Sequence, residues 1–337
     1  MSFSRNVRTD LTLEAQELLK ENEIREKGEE AVSEAEPDGI DVENAGDEEI
    51  KITRVRITSA AGERALGKAM GNYITLEVPG IRYNDQSLFE NTSKALASEL
   101  ASILKLRDDS VVLVVGLGNW NVTPDALGPK TVSSIMVTRH LIEYVPEEIE
   151  DGIRAVCAVA PGVLGITGIE TGEIIRGIVE KVKPDVVIAI DALASRKLER
   201  VNTTIQLADT GISPGSGVGN KRMELSEKTM GVPVIAIGVP TVVDAATMAN
   251  DAIDMVLDSM INEVPQGTEF YKMMKSIDRD EKYLLIQEVL RPYLGDLIVT
   301  PKEIDETILR LSKVIANGLN IALHKGITKD DVNRYIN

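Results

Sequence analysis

The chain has 337 residues, a formal net charge of −17 and a sequence pI near 4.7. Binding to a nucleic-acid phosphate backbone needs clustered Lys and Arg, so this charge argues against a direct nucleic-acid partner and favours a basic protein partner. No linker rich in Pro, Gly or Ser divides the chain, which predicts one main domain with appendages.

The cysteine content and the absence of long apolar runs indicate the compartment. The single cysteine, Cys157, lies in an apolar stretch, so no intramolecular disulfide can form and a reducing environment is expected. The N-terminus has no signal-peptide core, and nowhere do about 18 uncharged apolar residues follow one another. We therefore expect a soluble cytoplasmic protein without a membrane partner.

The first hundred residues predict a helix, an acidic stretch and then strands. Residues 12–20 look helical, and residues 21–49 are dominated by acids, which predicts a mobile surface segment. Residues 50–58 alternate apolar with polar side chains, as a half-exposed strand does. A short helix over 59–70, a strand over 73–78 and a helix over 87–106 are predicted next.

The central part predicts buried strands that end in loops. Residues 111–115 are uninterrupted apolar residues, typical of a strand covered on both faces, and a helix is expected over 131–142. Similar strands are predicted at 156–160, 185–190, 203–207 and 232–237. The fold class is thus α/β, with a mixed but mostly parallel sheet and helices on both faces.

The last hundred residues predict helices around an irregular insertion. Thr241 should cap a helix whose first turn holds Asp244. Residues 264–299 are predicted to form the insertion. The stretch from Thr300 to Glu303 has the pattern of a capping box with Pro301 at the first helical position, so a C-terminal helix is expected over 301–324.

Two acids follow central strands of the predicted sheet. Asp125 lies in the loop after the strand at 111–115, and Asp191 directly follows the strand at 185–190. The carboxyl ends of parallel strands form the ligand crevice of an open α/β sheet, so both acids should face it. The simpler alternative is that each acid only caps a helix or a turn.

Two glycine-rich stretches resemble cofactor-binding loops but lack residues that those loops require. The stretch from Gly116 to Asn121 begins like a dinucleotide-binding loop, but Asn121 stands where the third glycine is needed. The stretch from Gly215 to Lys221 is rich in glycine but lacks the Gly-Lys-Ser/Thr ending of a phosphate loop. We therefore expect no cofactor.

Other hydrolytic machinery is also poorly represented. The two histidines, His140 and His324, do not follow central strands, no serine shows a nucleophile-elbow pattern, and Cys157 lies within a strand. Zinc sites built from Cys and His are excluded by count. Two nearby carboxylates remain: sharing one proton, the ionised acid would withdraw a proton from water while the other donates to the substrate carbonyl. A hard metal held by the same carboxylates is the competing use.

Five sequence stretches resemble the germination protease family of endospore-forming bacteria. They cover residues 7–11 (VRTDL), 115–129 (VGLGNWNVTPDALGP), 160–171 (APGVLGITGIET), 190–196 (IDALASR) and 210–222 (TGISPGSGVGNKR). The resemblance implies a fold similar to that of hydrogenase maturation proteases. It also implies an atypical aspartic endopeptidase, made as a self-processing zymogen, that starts the degradation of small acid-soluble DNA-coating spore proteins during germination.

The family motifs transfer specific roles to this chain. Asp125 and Asp191 match the two essential acids, with no metal site, and self-cleavage falls between Asp10 and Leu11, which makes residues 1–10 an unusually short propeptide and 11–337 the protease domain. Acidic conditions should favour this cleavage by protonating one acid of an ionised pair. Flexible backbone at strand ends can approach an extended peptide closely, so a separate argument from the residues predicts that the substrate cleft is shaped by the glycine loop at 211–219, for which a simple chain reversal is the alternative. The predicted substrate-cleft residues are Gly116, Gly118, Asn119, Gly211, Ser213, Gly215, Gly217 and Gly219.

The resemblance further implies a homotetramer located in the forespore and spore core. Two alternatives remain open on the sequence. A metal-dependent maturation-type protease would lose activity to chelators, and a non-catalytic acidic scaffold would bind spore proteins without cutting them.

Overall fold

A computed structural model gives the structure of the chain. It describes residues 9–27, 37–149, 151–215, 222–265, 267–275, 279–294 and 297–325. Within these ranges, the strands are β1 Ile40–Gly46, β2 Lys51–Ile57, β3 Gly71–Glu77, β4 Val111–Gly116, β5 Ala155–Val159, β6 Val186–Ser195, β7 Thr204–Ala208, β8 Val234–Asp244 and β9 Ile298–Val299.

The strands form one sheet in the order β1-β2-β3-β7-β8-β6-β4-β5, with β9 paired to β8. The pairings among β8, β6, β4 and β5 are parallel, whereas those from β1 to β8 through β2, β3 and β7 are antiparallel. The α/β fold with a mixed sheet is confirmed. Its parallel half carries both candidate catalytic acids.

Helices cover both faces of this sheet, as predicted. They are α1 Thr12–Lys27, α2 Ala60–Leu66, α3 Gln86–Ile103, α4 Leu127–Val132, α5 Arg139–Tyr144, α6 Leu164–Thr167, α7 Thr171–Val182, α8 Glu227–Met230, α9 Ala245–Glu263, α10 Glu269–Lys275, α11 Arg279–Leu294 and α12 Ile304–Leu323. In β4, Val112 and Val114 pack with α3 and α12, and Leu113 and Val115 pack with α7. Apolar residues on both faces explain why β4 shows no polar alternation.

No helix among the described residues combines the length and the apolar character needed to cross a membrane.

The helix predicted over residues 131–142 is wrong as a single element. The chain instead forms α4, a turn and then α5. The intervening backbone bonds to other elements: the N–H of Met136 donates to Asn320 Oδ1 at 2.9 Å, and the N–H of Thr138 donates to the carbonyl of Val156 at 2.9 Å. These long-range partners replace the helical bonds that local sequence favours.

Two predicted helix starts are also wrong. Strand β8 continues through Thr241, and Asp244 itself is the N-cap of α9, accepting a bond from the N–H of Thr247 at 2.9 Å. Helix α12 begins at Ile304 after Glu303, without a side-chain cap, so the capping box expected from Thr300 does not form. Strand pairing accompanies both differences. Strand β8 extends past the helix start predicted at Thr241, and β9 ends shortly before the helix start predicted at Pro301.

The acidic stretch at 21–49 is more regular than predicted. Helix α1 extends into it as far as Lys27, and β1 lies within it and pairs along its full length with β2. The insertion at 264–299 likewise contains α10, α11 and β9. Mean composition therefore indicated surface position in these segments but not their secondary structure.

Candidate active site

Asp191 lies within β6 at the point where the neighbouring strand stops. Strand β4 ends at Gly116, which pairs with Ile190, whereas β6 continues along β8 to Ser195. The prediction that Asp191 follows the end of its strand is therefore wrong. The carboxyl group still faces a crevice, because the shorter β4 leaves space beside β6.

Asp125 reaches the same crevice from the loop after β4. It ends a one-turn 3-10 helix, Thr123–Asp125, and its carbonyl accepts a bond from the N–H of Asn119 at 3.1 Å. Gly118 has φ +111°, and a Cβ there would lie 1.9 Å from the Asp125 carbonyl oxygen. Only glycine fits this approach, so Gly118 and Asn119 position the acid.

Gly116 allows a second close approach behind the loop. A Cβ at this residue would lie 2.3 Å from the carbonyl oxygen of Gly128, near the start of α4. The loop between these glycines therefore folds tightly against the end of β4. This packing gives the glycine-rich motif a structural function that does not involve a nucleotide.

Both acids line one cavity of about 500 Å³. Of the residues predicted for the site, this lining includes Asp10, Gly118, Asn119, Asp125, Asp191, Ser213 and Gly215. Gly211 lines an adjacent cavity of about 400 Å³, while Gly116 packs behind the loop. Gly217 and Gly219 lie outside the described residues.

The two carboxyl groups have different environments. Burial raises the pKa of Asp125 to about 6, and the nearby backbone N–H of Asn119 opposes the increase. Burial raises the pKa of Asp191 further above its usual range, with added repulsion from Asp125 and Asp10. The N–H of Ala192, which donates to Asp191 Oδ1 at 2.9 Å, only partly offsets this. Burial therefore favours retention of a proton more strongly at Asp191 than at Asp125.

Asp10, the residue directly before Leu11, lines this cavity. The N–H of Asp10 donates to the carbonyl of Ala194 at 3.0 Å, and the N–H of Ala194 donates to Asp10 Oδ2 at 3.0 Å. The side chain of Leu11 is fully buried. Asp10 was predicted only as a cleavage position, but its carboxylate is a third acid in the cavity. Residues 1–8 of the predicted propeptide lie outside the described residues.

Glu170, Arg222 and Met223 are among the lining residues that sequence reasoning missed. The N–H of Met223 donates to Glu170 Oε1 at 3.3 Å, which joins two loops across the cavity. Glu170 and Arg222 lie inside the family-like stretches at 160–171 and 210–222, so their charge within glycine-rich loops was the available signal.

The remaining nucleophile and metal-ligand candidates are placed elsewhere. Burial raises the pKa of Cys157, whose Sγ lies 3.5 Å from the Val112 carbonyl oxygen. Burial lowers the pKa of His324 to about 4, and its Nδ1 accepts a bond from the N–H of Arg154 at 3.3 Å. Across the described ranges, no three His, Cys, Asp or Glu residues form a group that could hold a metal ion.

Comparison with known proteins places this chain in a family. The family model described as Germination protease matches residues 12–270 and 262–336. A germination protease of Clostridium tetani is 56% identical over 332 residues, which cover 98% of this chain and 100% of the relative. That of Clostridium acetobutylicum is 55% identical over 335 residues, with 98% and 99% covered.

More distant relatives keep the same coverage. A germination protease of Halalkalibacterium halodurans is 47% identical over 364 aligned positions, covering 98% of this chain and 97% of the relative. Such identity over nearly the whole length shows that the chain belongs to the germination protease family and is a protease.

Proposed function

We propose that the chain is an atypical aspartic endopeptidase in which Asp125 is the general base and Asp191 the general acid. The observation that carries this proposal is the pairing of two acids in one cavity with unequal, raised pKa values. Unequal pKa values divide the acid and base roles between two groups of the same type. Asp125 accepts a proton from the attacking water, and Asp191 supplies a proton to the peptide bond as it breaks.

The protease is made as a zymogen that cuts itself between Asp10 and Leu11. The contacts of Asp10 with Ala194 place this bond beside the catalytic cavity, and the Asp10 carboxylate fills space that a substrate needs. Cleavage would release Asp10 and remove its negative charge from the neighbourhood of Asp191. Both changes favour activity toward other chains.

Helix α1, which follows this bond, is anchored through Glu14 and Glu17. Arg200 is buried and binds the carboxylate of Glu17 at 2.5 and 2.8 Å. Glu14 is fully buried and accepts bonds from the N–H groups of Arg196 and Lys197 at 2.7 and 2.9 Å. Helix α1 therefore stays attached to the segment after β6 when residues 1–10 leave.

The substrates of the proposed protease are small acid-soluble spore proteins, and the protease acts in the forespore and spore core. The family name supports a role in germination, and the resemblance of the sequence motifs supports the substrate class. The net charge of −17 is consistent with a protein partner and not with direct binding to DNA. An acid before the cleaved bond would occupy the place that Asp10 holds beside Ala194.

The protein assembles as a homotetramer. Support comes from a surface of exposed apolar side chains on α9, α10, α11 and β9, which in a monomer would contact water. Its members are Ile253, Met255, Val256, Met260, Phe270, Met273, Leu284, Leu285, Val289, Leu297 and Ile298. Native mass spectrometry of the purified protein measures the number of subunits.

Incubation of the purified protein with a small spore protein tests the catalytic proposal. Mass spectrometry should find fragments cut after an acid, with equal rates in the presence and absence of a chelator and no fragments with Asp125→Asn. Loss of cleavage with the chelator would favour the metal-dependent protease. Binding without cleavage by the wild type would favour the scaffold.

A further inference from the structure

The carbonyl oxygen of Asp10 is held by two side chains. It accepts a bond from Lys68 Nζ at 2.9 Å and another from Gln206 Nε2 at 3.3 Å. Asp10 also lines both neighbouring cavities, one with Asp125 and Asp191 and the other with Lys68 and Gln206. This oxygen belongs to the peptide bond between Asp10 and Leu11, so the two donors contact the bond proposed to be cut.

The Gln206 amide can have only one orientation here. Its Oε1 accepts a bond from the N–H of Thr12 at 2.7 Å, which directs its NH₂ group toward the Asp10 carbonyl. Gln206 lies in β7 between β3 and β8 and is only 8% exposed. A donor fixed in a sheet needs little reorganisation when charge develops on the oxygen that it contacts.

Lys68 supplies the second donor at the same oxygen. It follows Gly67, the left-handed residue that ends α2. Burial lowers the pKa of Lys68, and the negative charges of Asp10 and Glu14 oppose that decrease. An ammonium group withdrawn from water interacts more strongly with a developing negative charge than an exposed one does.

We propose that Lys68 and Gln206 are catalytic residues that bind the carbonyl oxygen of the scissile peptide and stabilise its negative charge. The proposal rests on the aspartic mechanism and on self-processing between Asp10 and Leu11. It extends to spore-protein substrates, whose residue before the cut bond would occupy the place of Asp10 after maturation.

The chemical step follows from the two sides of the peptide. A water oxygen bonds to the Asp10 carbonyl carbon from the acid-lined cavity, while Asp125 takes one water proton and the C=O electron pair moves to the oxygen held by Lys68 and Gln206. The pair then returns, the C–N bond breaks, and Asp191 protonates the leaving nitrogen of Leu11. The new carboxyl group then gives its remaining proton to Asp191, and Asp125 releases its proton to water, which leaves a carboxylate, an amine and both acids in their starting states.

Lys68 could instead have a purely structural function, since its bond to Asp10 ties the N-terminal segment to α2. The two functions differ in the matured protein, where residues 1–10 have gone. A structural tie then has nothing left to hold. A carbonyl-binding group still acts on every substrate, and its loss lowers kcat more than it raises KM.

The experiment compares full-length Lys68→Met, Lys68→Arg and Gln206→Glu with the wild type. Lys94→Met is the matched control, since Lys94 is exposed on α3, away from both cavities. Glu at position 206 keeps an oxygen for Thr12 but replaces the donor to Asp10. The rate of appearance of the Leu11 N-terminus is measured first. Slow variants are then matured with a trace of tagged wild type, which is removed, and kcat and KM are measured on a small spore protein.

Lys68→Met should lower both the processing rate and kcat by about 10²-fold, the usual effect of removing one donor to a developing oxyanion. Lys68→Arg should recover part of this loss because it keeps the charge. Gln206→Glu should lose at least about tenfold, the equivalent of one ordinary hydrogen bond. Lys94→Met should match the wild type, and all variants should keep its melting temperature.

A folded Lys68→Met protein with wild-type kcat on the spore protein would overturn the inference while leaving the aspartic mechanism intact. If Lys68→Met does not fold, wild-type kcat in Gln206→Glu would overturn it equally. A wild-type chain that neither processes itself nor cuts a spore protein would overturn the proposed function and this inference together.

Discussion

Asp125 and Asp191 enter one cavity from two very different supports. Asp191 lies in the ten-residue strand β6, pairs with β8 just past the end of β4, and is 5% exposed. Asp125 ends a single 3-10 turn and is half-buried. The difference supports the proposed roles: burial in the sheet favours a retained proton on Asp191, whereas the pKa of Asp125 in the loop is about 6. Both residues are aspartates, so the difference between their pKa values comes from the structural element that holds each one.

The largest effect should come from removing either carboxyl group. Asp125→Asn and Asp191→Asn should each lower spore-protein cleavage and self-processing by at least about 10²-fold, because each removes one partner of general acid–base catalysis. Cleavage assays on the folded proteins, with circular dichroism as the folding control, measure this effect. A folded variant with near-normal turnover would remove that residue from the mechanism.

The next effect concerns the support of Asp125. Gly118→Ala places a methyl group 1.9 Å from the Asp125 carbonyl oxygen, so the turn must shift and the acid with it. We expect about a 10²-fold loss of kcat, as misplacement of a reacting group by 1 Å can cause. Gly177→Ala in α7 is the matched control, because a Cβ there meets nothing within 4 Å. Equal activity of the two variants would contradict the positioning function of Gly118.

The unequal pKa values predict the pH dependence of self-processing. The rate should rise with pH as Asp125 ionises near its pKa of about 6, and should fall again where Asp191 loses its proton at higher pH. Lowering the pH should therefore speed self-processing only at pH values above this maximum. The sequence alone predicted that acidic conditions favour self-processing, without this lower limit. Rates of Leu11 N-terminus formation across a pH series measure the profile. A rate that keeps increasing down to pH 4 would contradict the assignment of Asp125 as the base.

Much of the parallel half of the sheet could be predicted because its signals are local. Val112 to Val115 form an uninterrupted apolar run because both faces are covered, and the glycines after it mark a tight loop. The common location of Asp125 and Asp191 followed from the rule that strand ends share an edge. That rule succeeded even though Asp191 lies inside its strand, since β4 is the strand that stops.

The missed features depend on partners distant in sequence. Strand β8 continues through Thr241 because β6 and β9 pair with it, and no local pattern in that stretch shows this. Helix α1 extends beyond residue 20 where Glu17 and Glu21 bind Arg200 and Arg196, some 180 residues later. The donors at the Asp10 carbonyl likewise come from two separate elements, so no motif could join Lys68 with Gln206.

The smallest effect is a gain in stability when Asp125 loses its charge. The folded pKa of about 6 exceeds the ordinary value of 3.8, so the folded state binds its proton more tightly than the unfolded state does. The free energy of unfolding of the wild type therefore falls as pH rises from about 4 to 6, and the loss persists above that range. Asp125→Asn has no such penalty, and at pH 7.5 it should unfold with a free energy higher by up to about 3 kcal/mol, from the two-unit shift. The gain should vanish at about pH 2.5, where Asp125 is protonated in both states of the wild type. Urea titrations at the two pH values measure it, with Asp38→Asn in an exposed turn as the matched control. If Asp125→Asn is no more stable than the wild type at pH 7.5, ionised Asp125 does not destabilise the folded protein and the prediction is wrong.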